Sequence, residues 1–149
     1  MRDSRVRRWS AIHKAMYRLT GGVVGRRLVD NDILLLTTIG RRSGRRHTVP
    51  LLYLSDRDRV VVIASYGGRD RHPEWYLNLV AEPMVVARIA ATPRSFQART
   101  ASPAERGRLW PVVVAAYPGY AEYQTRTARQ IPLVILEPLV ETPRLGGRS

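Results

Sequence analysis

Ile33-Leu34-Leu35-Leu36-Thr37-Thr38-Ile39-Gly40-Arg41-Arg42-Ser43-Gly44-Arg45-Arg46-His47-Thr48-Val49-Pro50 joins two β-rich runs through a cationic turn. The first run, Ile33–Thr38, is apolar or β-branched throughout, the pattern of a strand buried on both faces. The second, Thr48–Ser55, begins soon enough to be its antiparallel partner. Between them lie two glycines, one hydroxyl, four arginines and a histidine. A hairpin turn needs the glycine but not the charge; an anionic ligand needs both. Arg41 and Arg42 could clamp a phosphate with forked donors, and the Ser43 hydroxyl and the amides around Gly44 could add hydrogen bonds. The spacing is not that of a P-loop. On composition alone, a solvated hairpin tip explains the turn about equally well.

Downstream, Asp56-Arg57-Asp58-Arg59 reads as a second tight turn, and Val60–Ser65 as the next strand. Tyr66-Gly67-Gly68 ends it. The small residues Ala64 and Ser65 there would leave backbone N–H groups exposed to a flat heterocycle, unless this is an ordinary strand exit. Pro73, suited to a first helical turn, opens a short helix over 73–81 that Glu82-Pro83 stops. Met84–Ile89 and Ser95–Thr100 read as two strands joined near Thr92-Pro93. Ser102-Pro103-Ala104-Glu105 carries a cap, a first-turn proline and a capping-box glutamate. The helix it opens should reach about Ala116, with a distortion at Pro111. Tyr117, Tyr120 and Tyr123 follow at spacings of three, on one side of a helical turn. They could form an aromatic, hydrogen-bonding wall, or simply core packing. Ile131–Leu136 is the last strand, ended by Pro138. About six mostly sequential strands with a few helices imply an α+β, mainly β fold: a small antiparallel barrel with flanking helices.

Upstream, Val6, Trp9, Ile12, Met16 and Leu19 recur at helical spacing among arginines, so residues 2–20 read as a basic amphipathic helix. It would pack on the barrel with its charged face solvated; the sharper alternative is an interfacial helix on an anionic membrane. The expected organisation is this helix over 1–20, a barrel domain over 21–141 and a loose tail over 142–149.

The chain has 149 residues, enough for one domain with a real core. Its net charge is +13, almost all from arginine, which favours acidic partners without choosing among them. Without cysteine there is no thiol nucleophile or thiolate metal site, and any hydride carrier must be a bound cofactor. His13, His47 and His72 have no metal-ligand spacing, and no GxSxG motif is present, so hydrolysis is poorly supported and no metal is expected. No nucleic-acid reader motif accompanies the charge, so no nucleic-acid partner is expected. With no membrane-length apolar segment and no secretory signal, the expectation is a cytoplasmic protein, in contact with the inner membrane face if residues 2–20 bind lipid.

Three ordered segments resemble the deazaflavin-dependent nitroreductase family: Leu34–Gly44 with Thr48-Val49-Pro50-Leu51; His72-Pro73-Glu74-Trp75-Tyr76-Leu77-Asn78-Leu79 through Ala81-Glu82-Pro83; and Trp110-Pro111 through Tyr117-Pro118, Tyr120, Tyr123-Gln124 and Ile131–Pro138. The resemblance spans roughly residues 30–138. It implies a split β-barrel with Greek-key-like strand order that binds the 8-hydroxy-5-deazaflavin coenzyme F-420, whose phosphate and oligoglutamate tail are anionic. It places the cofactor's phosphate at Arg41, Arg42, Ser43 and Gly44, with Arg46 or His47 toward the tail. The family often has an arginine at the position of His47. The ring would lie along Val49, Pro50, Leu51, Ala64, Ser65 and Tyr66, enclosed by Trp75. Ser65 and the tyrosines Tyr117, Tyr120 and Tyr123 would form the catalytic, acceptor-side set. Tyr66 stands where at least one type of family member has a lysine. The implied reaction is hydride transfer to a quinone, an activated alkene or a nitro compound. FMN on the same barrel and a non-catalytic F-420 carrier are the alternatives. Monomer and homodimer both remain open.

Overall fold

The computed structural model describes residues 33–139. The helix expected at 2–20 and the tail from 142 lie outside the described residues.

Six strands close into one antiparallel barrel: β1 (Ile33–Ile39), β2 (Arg46–Asp56), β3 (Arg59–Ile63), β4 (Met84–Ile89), β5 (Thr92–Thr100) and β6 (Leu133–Pro138). Their order around the barrel is β1-β2-β3-β6-β5-β4. The first three form a meander, and β4 then returns to lie beside β1. That is the Greek-key order expected, and closure removes every free sheet edge. A 3-10 turn, Tyr66–Gly68, and helix α1 (Glu74–Ala81) connect β3 to β4. Helices α2 (Pro103–Ala116) and α3 (Gly119–Thr125) connect β5 to β6.

The core has two layers. Inside the barrel, Leu34, Leu36, Leu51, Val60, Val62, Val85, Phe96, Val134 and Leu136 pack together, and Trp75 and Leu79 of α1 close one end. On the outer wall, Leu52, Val61, Ile63, Leu133 and Ile135 meet Leu109 and Val113 of α2 and the tyrosines of α3. Strands β3 and β6 are therefore the ones buried on both faces, which explains their unbroken apolar runs. The strand β1 differs from the fully buried reading. After Leu34 its burial alternates, because Leu35, Thr37 and Ile39 lie on a face that no helix covers fully.

Other boundaries also move. Strand β5 begins at Thr92, and the turn is Ala90-Ala91 with Ala90 at φ 57°. Pro93 is tolerated because β6 pairs only with residues from Phe96 onward, so no ladder bond is lost on that side. Strand β6 begins at Leu133, two residues later than the apolar run. Pro73 sits one place before the first turn of α1, as its N-cap. The α2 start is as read: Ser102 accepts from the Glu105 N–H and the Glu105 carboxylate accepts from the Ser102 N–H. The helix passes through Pro111 without ending, with that proline exposed.

A carboxylate–guanidinium chain ties the elements together. Asp56 at the end of β2 accepts from Arg59 (2.6 Å) and Arg108 (3.0 Å). Arg59 also reaches Glu105, which pairs with Arg99 at 2.7 Å, and Arg99 extends to Glu137. Hydrogen bonds, first from Arg108, lower the Asp56 carboxyl from 3.8 to about 2. Glu105 is likewise held well below the usual carboxylate range, first by Arg99 and then by the Ser102 N–H. Depressed carboxyls stabilise the fold above their unfolded pKa and lose that contribution as they protonate. The melting temperature should therefore hold down to about pH 4 and fall between about pH 4 and pH 2. In Asp56→Asn the fall should be shallower and the neutral-pH melting temperature lower; an unchanged acid slope by circular dichroism would count against this chain of contacts.

Candidate active site

The arginine turn is built as a closed loop. The Gly40 N–H donates to the Arg45 carbonyl (2.7 Å) and the Gly44 N–H to the Gly40 carbonyl (2.8 Å), with Gly44 at φ 71°. The Ser43 hydroxyl accepts from the Arg45 N–H at 3.1 Å. Closed by these bonds, the loop turns side chains onto a groove of about 420 Å³. Gly40, Arg41, Arg42, Ser43, His47 and Val49 form one wall, and Glu74, Trp75 and Asn78 of α1 the other. That volume lies within the range of small-molecule sites.

The two walls are fastened by Arg41. Its guanidinium donates to Asn78 Oδ1 (2.9 Å) and Glu74 Oε1 (3.2 Å), and its backbone N–H also reaches Asn78 Oδ1 (3.2 Å). Asn78 was not read as a site residue. Its signal was present, since an asparagine three residues after Trp75 and next to Leu79 is a polar group on a helix's buried stripe. Arg42 is exposed and makes no hydrogen bond among the described residues. Register puts His47 and Arg46 on opposite faces. Thr38 pairs with His47 on the groove side, whereas Arg46, paired with Ile39, points to the opposite face and lines neither cavity. Gly44 is also outside the groove lining.

Trp75 also borders a second, much smaller cavity of about 10 Å³, lined by Pro50, Leu51, Leu52, Ile63, Ser65, Tyr66 and Tyr120. The arginine groove and the strand-end site are thus two ends of one path along the Val49-Pro50-Leu51 segment of β2. Ala64 is fully buried and lines neither cavity. Its N–H is not exposed, as the sequence reading had it, but donates to the Pro132 carbonyl (3.0 Å). The N–H groups of Ser65 and Tyr66 carry no bond among the described residues, so they are the ones left for a ligand. Tyr66, Gly67 and Gly68 stand at φ 50°, 66° and 81°, a left-handed run in which a tyrosine is strained. Arg69 stacks over the Tyr66 ring at 4.5 Å.

The three tyrosines separate. Only Tyr120 lines the small cavity. Its hydroxyl makes no hydrogen bond among the described residues, and burial pushes its pKa up, so it stays protonated. The Ser65 hydroxyl, beside the same cavity, is equally uncommitted. Tyr117 lines neither cavity; its hydroxyl donates to the Tyr53 carbonyl (3.4 Å). Tyr123 lines neither as well. Both rings pack edge-on against Tyr120 and fix its angle, at centroid distances of 6.0 and 5.8 Å. Among the described residues no cluster of metal-ligating side chains occurs, and no helix is long and apolar enough to cross a membrane.

A split β-barrel with a cationic groove running to two free hydroxyls is a framework for binding a phosphate-bearing redox cofactor. The family is specific: the chain belongs to the F420H(2)-dependent quinone reductases, whose family model matches residues 9–138. It is 43% identical over 105 residues to a Mycobacterium tuberculosis protein named as a candidate quinone reductase of this kind, covering 70% of this chain and 88% of the relative. It is 36% identical over 129 residues to an F420H(2)-dependent quinone reductase of the same organism, covering 84% and 87%. A solved F420-H2 dependent reductase, FDR-A, superposes with a TM-score of 0.67 at 40% identity, over 73% of this chain and 96% of that one. A second solved structure, described as a domain-swapped dimer, gives a TM-score of 0.68 at 35% identity, over 92% and 100%. The chain is an F-420-dependent oxidoreductase. The site suits that cofactor: arginines and the Ser43 hydroxyl for its anionic end, and unbonded strand-end N–H groups for its ring.

Gly40 is fixed by space. A Cβ there would lie 2.5 Å from Ser43 Oγ and 2.8 Å from His47 Nε2. Both obstacles are side chains at the exposed loop, so Gly40→Ala should fold normally while displacing the groove wall. We expect F-420 affinity to fall roughly tenfold, about 1.4 kcal/mol, with little change in melting temperature. Unaltered affinity by fluorescence titration would remove this wall from the cofactor site.

Proposed function

We propose that this enzyme reduces quinone-type acceptors, with F-420 along the groove and the acceptor against Ser65 and Tyr120. The observation that carries the reading is the pair of uncommitted hydroxyls on one small cavity, joined through Trp75 to the arginine groove. When bound in reduced form, F-420 supplies the hydride. Arg42, Ser43 and His47 bind its anionic end, and Arg41 holds α1 against the loop so that Trp75 stays over the path. Ser65 and Tyr120 donate hydrogen bonds to the acceptor oxygen as negative charge develops on it. Tyr120, kept neutral by burial, holds the proton that the reduced acceptor takes up. The buried surround of Leu51, Leu52 and Ile63 excludes water from that oxygen. Tyr117 and Tyr123 support the reaction by orienting Tyr120.

Tyr120→Phe should lower kcat about 100-fold and leave the F-420 dissociation constant nearly unchanged. Equal turnover in the variant would take Tyr120 out of the mechanism. Parallel titration with F-420 and FMN separates this reading from an ordinary flavoenzyme. Stopped-flow oxidation of the reduced cofactor by quinones separates it from a carrier.

The proposed partner beyond the acceptor is a second copy of this chain, supported by the solved relative described as a domain-swapped dimer. Light scattering in solution tests it. Membrane contact rests on the basic segment 2–20, outside the described residues. It would bring the enzyme to lipid-soluble quinones, and sedimentation with anionic vesicles before and after deletion of that segment tests it.

A further inference from the structure

Outside the groove, the loop between α3 and β6 carries a half-buried guanidinium with no carboxylate in contact among the described residues. Arg129 instead donates to three backbone carbonyls: Ser65 (2.7 Å), Arg69 (2.8 Å) and Ala64 (3.3 Å). Its fourth contact is His72 Nδ1 at 3.1 Å. Arginine cannot accept a hydrogen bond, so this nitrogen must carry the lone pair and His72 must be neutral. Burial first, and Arg129 second, lower the His72 pKa in the same sense. Burial likewise lowers that of Arg129.

The residues so gripped bracket the strained turn. Ser65 and Arg69 flank Tyr66, Gly67 and Gly68, the three consecutive left-handed residues. Within the turn, only two backbone bonds hold that shape, from the Gly68 N–H to the Ser65 carbonyl (3.0 Å) and from the Arg69 N–H to the Tyr66 carbonyl (3.3 Å). Two bonds are thin support for a tyrosine in an unfavourable conformation. The loop bearing Arg129 is itself anchored. The Gln124 side chain donates to the Arg129 carbonyl (2.7 Å) and accepts from the Ile131 N–H (2.9 Å). Arg106, stacked on Trp110, reaches both Gln124 and the Ile131 carbonyl.

We propose that Arg129 is a positioning residue for the hydride-transfer site: its guanidinium clamps the 64–69 backbone so that Ser65 and Tyr66 present their N–H groups and the Ser65 hydroxyl to the cavity shared with Tyr120. This rests on the functional reading above. A planar fork with five donors is needed because the acceptors diverge over three carbonyls and a ring nitrogen. One ammonium cannot span them, so lysine is not a substitute. Gln124 and Arg106 act one step further out by fixing where Arg129 stands.

The test compares wild type with Arg129→Ala and Arg129→Lys. The first readout needs no cofactor: hydrogen exchange at the Gly68 and Arg69 amides. It should accelerate at least about tenfold in both variants, while amides of β3 and β6 keep their protection. The second is turnover of reduced F-420 with a quinone. We expect kcat to fall about 10- to 100-fold in both variants, with partial recovery in Arg129→Ala on adding guanidinium at millimolar concentration. Unchanged exchange at 68 and 69, or full activity in Arg129→Lys, would overturn the proposal. Should Arg129→Ala fail to fold, Arg129→Lys decides by the same two readouts. A wild type that does not oxidise reduced F-420 would instead sink the functional reading, while the exchange result would still judge the clamp.

Discussion

Strands β3 and β6 have no solvent face, and the rest of the molecule is arranged around that constraint. Their inward residues, Val60, Val62, Val134 and Leu136, complete the barrel interior. Their outward residues, Val61, Ile63, Leu133 and Ile135, need a second cover. Helices α2 and α3 supply it, and in doing so bring Tyr120 beside Ser65 at the end of β3. A fully buried large aliphatic side chain contributes about 1.5–3 kcal/mol, whereas an exposed ion pair contributes about 0–1 kcal/mol. The apolar layers therefore hold the fold, and the Asp56–Arg59–Glu105–Arg99–Glu137 chain mainly fixes how α2 is seated on the strands.

The same economy explains where the site lies. It occupies the seam where barrel, α1 and α3 meet, the place where backbone leaves the strand ladder and must find other partners. Two solutions appear side by side. The loop Gly40–Arg45 closes on its own backbone while Asn78 takes the Arg41 N–H, which leaves the Arg42 side chain to the groove. The turn after β3 cannot do this, since three residues there adopt left-handed angles. It borrows donors from Arg129 and keeps two N–H groups unbonded. One loop thus offers side chains and the other offers backbone. A phosphate-bearing ring system requires both kinds of contact.

Periodicity made the barrel legible, because alternating and continuous apolar runs follow directly from one- and two-sided burial. The capping box at Ser102–Glu105 was legible for an equally local reason. Strand ends were less so. Pro93 looked like a turn residue, and only the short reach of β6 shows why a strand can contain it. The arginine turn carried its chemistry in composition. The tyrosine trio did not, since equal spacing hid that Tyr117 and Tyr123 turn away while Tyr120 faces the cavity. Arg129 gave no signal at all: one arginine among many in a polar connection, whose role exists only because β6 brings its loop against residues 64–69.

The pairing of β1 with β2 also settles how the groove's charge is distributed. A strand alternates faces, so Thr38 opposite His47 places the histidine toward the groove and leaves Arg46 outside it. Arg41 is already engaged by Asn78 and Glu74, and part of its charge is balanced by the latter. Among the described residues lining the groove, Arg42 is then the cation with no protein partner. The exposed Arg42 guanidinium and the His47 imidazole share this wall of the groove. The contacts of Arg41 with Asn78 and Glu74 instead hold α1 against the loop, and with it Trp75, which borders both cavities.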